Sequence, residues 1–330
     1  MTVTRALNDS SQVTVETRNK VLAACRKLKF RKNLVASSLR SKKSHALALI
    51  VPTFKHEFYS RLLADIEDEA RKKHYCIIAA QLQLKNGRRE ILTRDKIENL
   101  CSRGVDGIII DADFSEEIEQ LLLAEQIPVV CINRAGKLHQ FDYITTDYHE
   151  IFARITQSLL AKGHRRIAFV GGFADRQESS EFYLGFCQAL LKQGIQPDPQ
   201  LYLACGFFFE NGVEAAGVLV SSGKEFSAVV GINDYIAIGL ISGFHQLGLK
   251  VPDQVAVTGH AGENITRFFV PTVTTAEQPV RQIAKESVRR LIYKINNPQD
   301  DGVMVLRLKS TLQERQSSNR ILMPPVKLFF

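Results

Sequence analysis

Short apolar runs return along most of this chain with an amphipathic, helix-length stretch between them, and that rhythm restricts the folds open to it. Runs at 46–51 (ALALIV), 76–80, 107–111, 128–132, 143–146, 166–171, 227–232, 255–259 and 303–307 read as strands. Stretches such as EFYSRLLADIEDEARKKH (57–74) and HEIFARITQSLLAKG (149–163) read as helices. Near-continuous apolar strands separated by helices form parallel sheets covered on both faces. That many strands between residues 46 and 330 overfill one doubly wound domain. The expected fold class is therefore α/β, with two Rossmann-like parallel-sheet subdomains and a cleft between them. Such sheets take ligands at the carboxyl ends of their strands, so the cleft is the expected pocket.

The first 45 residues break the rhythm. They hold eleven Lys/Arg against two acids, a surplus of nine, while the whole chain nets only +8. A basic segment on a near-neutral body points to a polyanion partner, nucleic acid before an anionic membrane surface. The segment is not a low-complexity tail. From Glu16 to Phe30, Val21, Leu22, Cys25 and Leu28 fall on one helical face with basic residues opposite, and Thr14 is placed to cap that helix. MTVTRALN before it suits a short helix, NDSS a turn, and NLVASSLRS (33–41) a third short helix.

Other classes of function find little support. The six cysteines include no C-x-x-C pair. Several sit in apolar runs, Cys76 in CIIAA and Cys131 in PVVCI, which reads as buried free thiols in a reducing cytoplasm. The histidines show no metal-ligand spacing, and no phosphate-binding loop or nucleophile elbow is present. Asp111, Asp113 and Asp147 end strands without forming a recognisable acid/base pair. No apolar run is long enough to span a bilayer and no secretory leader is expected. The expectation is a cytoplasmic protein that is not an enzyme and needs no cofactor, metal or membrane.

Ten stretches, in order, carry a resemblance that covers almost the whole chain. They are TVTRALN (2–8), VTVETRNKVLAACRKLKFRKN (13–33), ASSLRSKKS (36–44), IPVVCINR (127–134), TTDY (145–148), LLAKGHRRIAFVGG (159–172), LGFCQAL (184–190), GINDYIAIGL (231–240), GLKVPDQVAVTGH (248–260) and PTVTTAEQP (271–279). Together they resemble the lactose/galactose repressor (LacI/GalR) family of bacterial transcription regulators. The resemblance implies a helix-turn-helix headpiece, a hinge helix and a core like the periplasmic sugar-binding proteins. It also implies a homodimer on a palindromic double-stranded DNA operator, controlled by a small effector in the cleft. On this template residues 1–32 are a partial headpiece and 33–45 the hinge. Residues 46–330 are the core, one subdomain taking about 46–146 plus 277–305 and the other about 147–276 plus 306–330. Met1 falls just before the recognition helix, so the expectation is that the first headpiece helix is missing and that Met1 is an internal residue.

The resemblance also assigns residues. Thr2, Thr4 and Arg5 match the start of the recognition helix, which enters the major groove. Leu39 matches the hinge leucine that wedges into the minor groove, against the alternative that it is the apolar face of a linker helix. Val35 and Ala36 match small residues that let two hinge helices pack together, and Asn33 and Arg40 match phosphate or groove contacts. In the cleft the family's positions fall on Phe58, Tyr59, Asn133, Arg134, Asp147, Phe207 and Asn233, with Asp234 expected to cap the helix that follows. Phe58, Tyr59 and Phe207 either stack on a ligand ring or are core. Two positions depart from the family's pattern: Phe182 stands where Arg is usual and Ala261 where Asp is common. The GHAGENI loop (259–265) resembles members that include gluconate-type repressors. The effector expected from the resemblance is a sugar, a sugar acid or a sugar phosphate, and the two departures leave open a less polar molecule or no effector at all. The alternative reading is a solute-binding protein of the same core fold with no role on DNA, which the basic segment opposes.

Overall fold

The computed structural model describes Val3, Ala6 and residues 13–28, 43–82, 84–85, 88–89, 92–133, 140–172 and 177–319. Thr2, Thr4, Arg5, Asn33, Val35, Ala36, Leu39, Arg40 and Arg134, and the helix expected over 33–41, lie outside these residues. The chain divides into two compact units, Met1–His45 and Ala46–Phe330.

In the first unit, α1 (Val15–Lys27) begins where the sequence places its cap: the Thr14 hydroxyl accepts from the Thr17 amide at 3.3 Å. Its basic residues Arg26 and Lys27 lie in the last turn, where they meet the negative end of the helix dipole. The expected apolar face is only half-covered. Val21, Leu22 and Cys25 are partly buried, and Leu28 stands exposed just past the last turn.

The second unit opens with β1 (Ala46–Val51), α2 (Glu57–Arg71), β2 (Cys76–Gln81) and a small ladder, β3 (Leu84–Lys85) with β4 (Arg88–Arg89). Next come α3 (Arg94–Ser102), β5 (Gly107–Ile110), α4 (Glu116–Ala124), β6 (Val129–Ile132) and β7 (Asp142–Thr146). The chain then enters a second lobe: α5 (Tyr148–Ala161), β8 (Ile167–Val170), α6 (Gln177–Leu191), β9 (Tyr202–Leu203), α7 (Phe209–Ser221), β10 (Ala228–Gly231), α8 (Asp234–Gln246) and β11 (Ala256–Thr258). It returns through β12 (Thr275–Glu277), α9 (Val280–Asn296), β13 (Val305–Leu308) and β14 (Thr311–Gln313).

Two parallel sheets result, as the α/β expectation requires. The first runs β13-β7-β6-β5-β1-β2 and the second β11-β10-β8-β9. Alternation along each strand explains why the runs read as continuously apolar. Leu47, Leu49 and Ile109 pack under α2 and α9, whereas Ala48, Ile50, Ile108 and Ile110 face Ile97 of α3 and Ile118 of α4. The antiparallel pair β12–β14 was not foreseen, being two strands of three residues each. Cys131 is buried as expected, but Cys76 is exposed, because β2 is the outermost strand of its sheet. All six cysteines are free. Among the described residues no helix is long and apolar enough to cross a membrane.

Candidate functional site

A cavity of about 100 Å³ lies in the second unit at the carboxyl ends of both sheets. Its position follows from topology. Asp111 and Asn133 are the residues just after β5 and β6, Ile232 and Asn233 follow β10, and His260 comes two residues after β11. At each of these strand ends the backbone leaves the ladder, so side chains turn towards the space between the lobes.

Seven sequence-assigned residues meet there: Phe58, Tyr59, Asn133, Phe182, Phe207, Asn233 and Ala261. Asp147 does not line the cavity. It caps α5, accepting from the Glu150 amide at 3.1 Å, and its neighbour Tyr148 takes the wall position instead. Asn233 keeps its place in the cavity wall and also takes the capping role expected of Asp234. Asn233 is the cap of α8: its Oδ1 accepts from the Ile236 amide at 2.8 Å, and its Nδ2 donates to the Phe207 carbonyl at 2.9 Å. Asp234 lies inside the first turn, fully buried, and its Oδ2 accepts from the Glu263 amide at 2.7 Å. The sequence ND permits either residue to cap; the Glu263 amide decides, because it takes the Asp234 carboxylate. Replacing Asn233 by Ala is expected to cost about 1 kcal/mol, the worth of a helix cap, and to loosen Phe207. Urea denaturation measures it.

Glu263, His260, His56, Tyr148 and Gln278 also line the cavity, though the sequence assigned none of them a place in it. Glu263 is 3% exposed. Its Oε1 accepts from the Phe58 amide at 3.4 Å, across the lobes, and no hydrogen-bond donor reaches Oε2. Burial, then the charges of Asp234 and Glu57, push its carboxyl up to about 8. Burial also pushes Asp234 up to about 6, against the pull of the hydroxyl of Thr275 and neighbouring amides. His260 sits among the rings of Phe152, Tyr148 and Phe182 at 5.2, 5.7 and 6.1 Å. Burial there lowers its pKa to about 3, so it is neutral, and its Nε2 has no partner. Asn133 adopts a left-handed backbone (φ 58°) that Asn tolerates, and its Nδ2 donates to Asp111 Oδ2 at 2.8 Å.

The start of α2 clamps the first lobe to the second. The Glu57 carboxylate accepts from the Asn264 amide at 2.9 Å and from the Asn264 side chain. Arg61 Nη1 donates to the Gly262 carbonyl at 3.0 Å, and the Glu57 amide donates to the Tyr235 hydroxyl at 3.2 Å. Ala261 and Gly262 both need positive φ, at 120° and 74°, and a Cβ on Gly262 would stand 2.6 Å from the Glu277 Cα. At 262 the loop can pass Glu277 only without a side chain.

Two parallel-sheet lobes around a polar and aromatic cavity, preceded in sequence by a basic helical segment, are the arrangement of a ligand-responsive DNA-binding regulator. Comparison with known proteins agrees at both ends. Residues 1–33 match the model "Bacterial regulatory proteins, lacI family" and residues 156–318 the model "Periplasmic binding protein-like domain". Catabolite control protein A of Priestia megaterium is 28% identical over 319 residues, 96% of this chain and 95% of that protein. A transcriptional regulator CelR–cellobiose complex superposes with a TM-score of 0.75 at 24% identity, covering 95% of this chain and 94% of that one. The Lac repressor dimer bound to operator and the anti-inducer ONPF superposes with a TM-score of 0.83 at 21% identity, covering 96% and 94%. The chain belongs to the LacI family of bacterial regulatory proteins. It is a DNA-binding transcriptional regulator and not an enzyme.

Proposed function

We propose that the chain is a cytoplasmic repressor of a carbohydrate-related operon, dimeric on a palindromic operator, whose DNA affinity is set by a small effector in the cleft. In this reading residues 1–32 and 33–45 serve the DNA, and 46–330 bind the effector and pair the protomers. Thr2, Thr4 and Arg5 read the major groove, and Leu39 is the minor-groove wedge, flanked by Asn33, Val35, Ala36 and Arg40. Phe58, Tyr59, Asn133, Phe182, Phe207, Asn233 and Ala261 form the effector wall, together with Arg134. The observation that carries the reading is the cavity at the carboxyl ends of both sheets, bridged by hydrogen bonds from α2 to the 262–264 loop. A ligand there changes the free energy of lobe closure, and closure is a rigid-body change that a DNA-binding segment can sense. The CelR structure, with cellobiose in a chain of the same fold, supports an effector of sugar type.

The test is operator selection from random duplexes, followed by a salt series on the selected sequence. Log affinity is expected to fall steeply and linearly with log salt, as counterion release from several phosphate contacts requires. Leu39→Ala is expected to weaken operator binding about tenfold while leaving effector affinity unchanged. A chain that selects no sequence and shows a flat salt response is a solute-binding protein instead.

A further inference from the structure

Helix α2 does not cap itself. His56 stands in its cap position with an extended backbone (φ −84°, ψ 132°), and the His56 side chain bonds none of the amides of the first turn. The first amides of a helix have no acceptor within the helix and must find one elsewhere. Here two of them find it on the opposite lobe. The Glu57 amide donates to the Tyr235 hydroxyl at 3.2 Å, and the Phe58 amide donates to Glu263 Oε1 at 3.4 Å. These acceptors lie 178 and 205 residues further along the chain. The Tyr235 hydroxyl in turn donates to the Lys55 carbonyl at 3.1 Å, so one oxygen holds the backbone on both sides of His56. Rings complete the grip. His56 stacks on Tyr235 at 4.5 Å and meets Phe208 at 4.7 Å, and Phe209 stacks on Tyr235 at 4.2 Å. Position 235 is the second residue of α8, where Ala would serve the helix at least as well. The ring and the hydroxyl of Tyr235 therefore serve the contact with α2.

We infer that Tyr235 is a catch between the lobes, a positioning residue that holds them closed by capping α2 across the cleft. Parting the lobes uncaps both amides at once, releases the Lys55 carbonyl and separates His56 from the rings of Phe208 and Tyr235. The side chains of α2 break away in the same movement, since Glu57 holds the Asn264 amide and Arg61 the Gly262 carbonyl. These contacts form and break together, so closure is a two-state event biased by the chain's own groups. An effector shifts an equilibrium that Tyr235 has already set. The inference rests on the effector reading above only for its consequence on DNA.

The test is hydrogen exchange of the full chain, followed by NMR at the amides of Phe58 and Asn264. Both keep their own acceptors, Glu263 and Glu57, when residue 235 is changed, so they report lobe opening and not the loss of a partner. Tyr235→Phe keeps the ring and removes the hydroxyl, and is expected to speed exchange at both amides about tenfold. Tyr235→Ala removes the ring as well, and about a hundredfold is expected. The amides of Leu49 in β1 and Val229 in β10, deep in the two lobes, are expected to keep their wild-type rates. Unchanged rates at Phe58 and Asn264 overturn the inference and leave the effector reading intact. Equal acceleration at Leu49 and Val229 overturns it too, because Tyr235 would then only stabilise the fold. Tyr235→Phe decides alone where Tyr235→Ala does not fold. A second measurement, affinity for the selected operator, is expected to change about tenfold in Tyr235→Ala. Faster exchange at Phe58 and Asn264 with operator affinity unchanged supports the catch and overturns the closure step of the effector reading.

Discussion

Between pH 6.5 and 8 the folded core is expected to lose about 2 kcal/mol of stability, and Glu263→Gln is expected to abolish that loss. The carboxyl of Glu263 moves from an ordinary 4.5 to about 8 on folding, chiefly through burial. Between those values the folded chain holds a proton that the unfolded chain releases. Its contribution is therefore fully present below pH 4.5, declines as pH rises, and is lost as pH passes through 8. His260 works in the opposite sense. Its pKa falls from 6.5 to about 3, so the unfolded chain takes up a proton that the buried ring refuses, and its contribution is lost as pH falls from 6.5. The two slopes oppose each other between 4.5 and 6.5. Asp234, moved from 3.8 to about 6, is already about three-quarters ionised at 6.5. From 6.5 to 8 Glu263 therefore supplies most of the change, the other two contributing only the ends of their titrations. Urea midpoints at those two pH values, for wild type and Glu263→Gln, provide the measurement. A parallel decline in both proteins would show that the Glu263 proton is not its source.

The same loop shows how far the sequence could be read. The strands were legible because parallel strands buried on both faces leave uninterrupted apolar runs, and the helices between them carry a 3.6-residue period. Edge effects were not legible. CIIAA at β2 has the composition of a buried strand, yet only its place in the sheet order decides that Cys76 meets solvent. Within the cavity, Asn133, Phe182 and Asn233 were placed by resemblance to family motifs, and strand-end position would have found Asn133 and Asn233 unaided. Glu263 and His260 were not found, because their role depends on partners far away in sequence: Phe58 lies 205 residues from Glu263. Asp234 was misassigned for the same reason. Local rules let it cap α8, but the Glu263 amide, 29 residues on, takes its carboxylate, and Asn233 is left to cap.

Gly239→Ala is expected to destabilise the core by about 3 kcal/mol, although Ala is the better helix former by about 1 kcal/mol. The reason is the crossing of α7 and α8, where two glycines face each other. A Cβ on Gly239 would lie 2.1 Å from the Phe209 carbonyl oxygen and 2.9 Å from the Gly212 Cα. One on Gly212 would lie 2.4 Å from the Ile236 carbonyl oxygen. Both contacts are with backbone, so no side chain can rotate away, and the helices must separate. Separation reaches the cavity, because the start of α7 is part of its frame. The ring of Phe209 stacks on Tyr235 at 4.2 Å, Tyr235 receives the Glu57 amide of the opposite lobe, and the Phe207 carbonyl is held by Asn233. Effector affinity is therefore expected to fall along with stability. Gly217→Ala, on α7, serves as the control. Nothing lies within 4 Å of a Cβ there, so only the helix propensity changes and a gain of about 0.5–1 kcal/mol is expected. Urea unfolding of the two variants separates the effects: equal stability in both would mean that α7 and α8 do not approach backbone to backbone, and that the cavity frame is set by something other than this crossing.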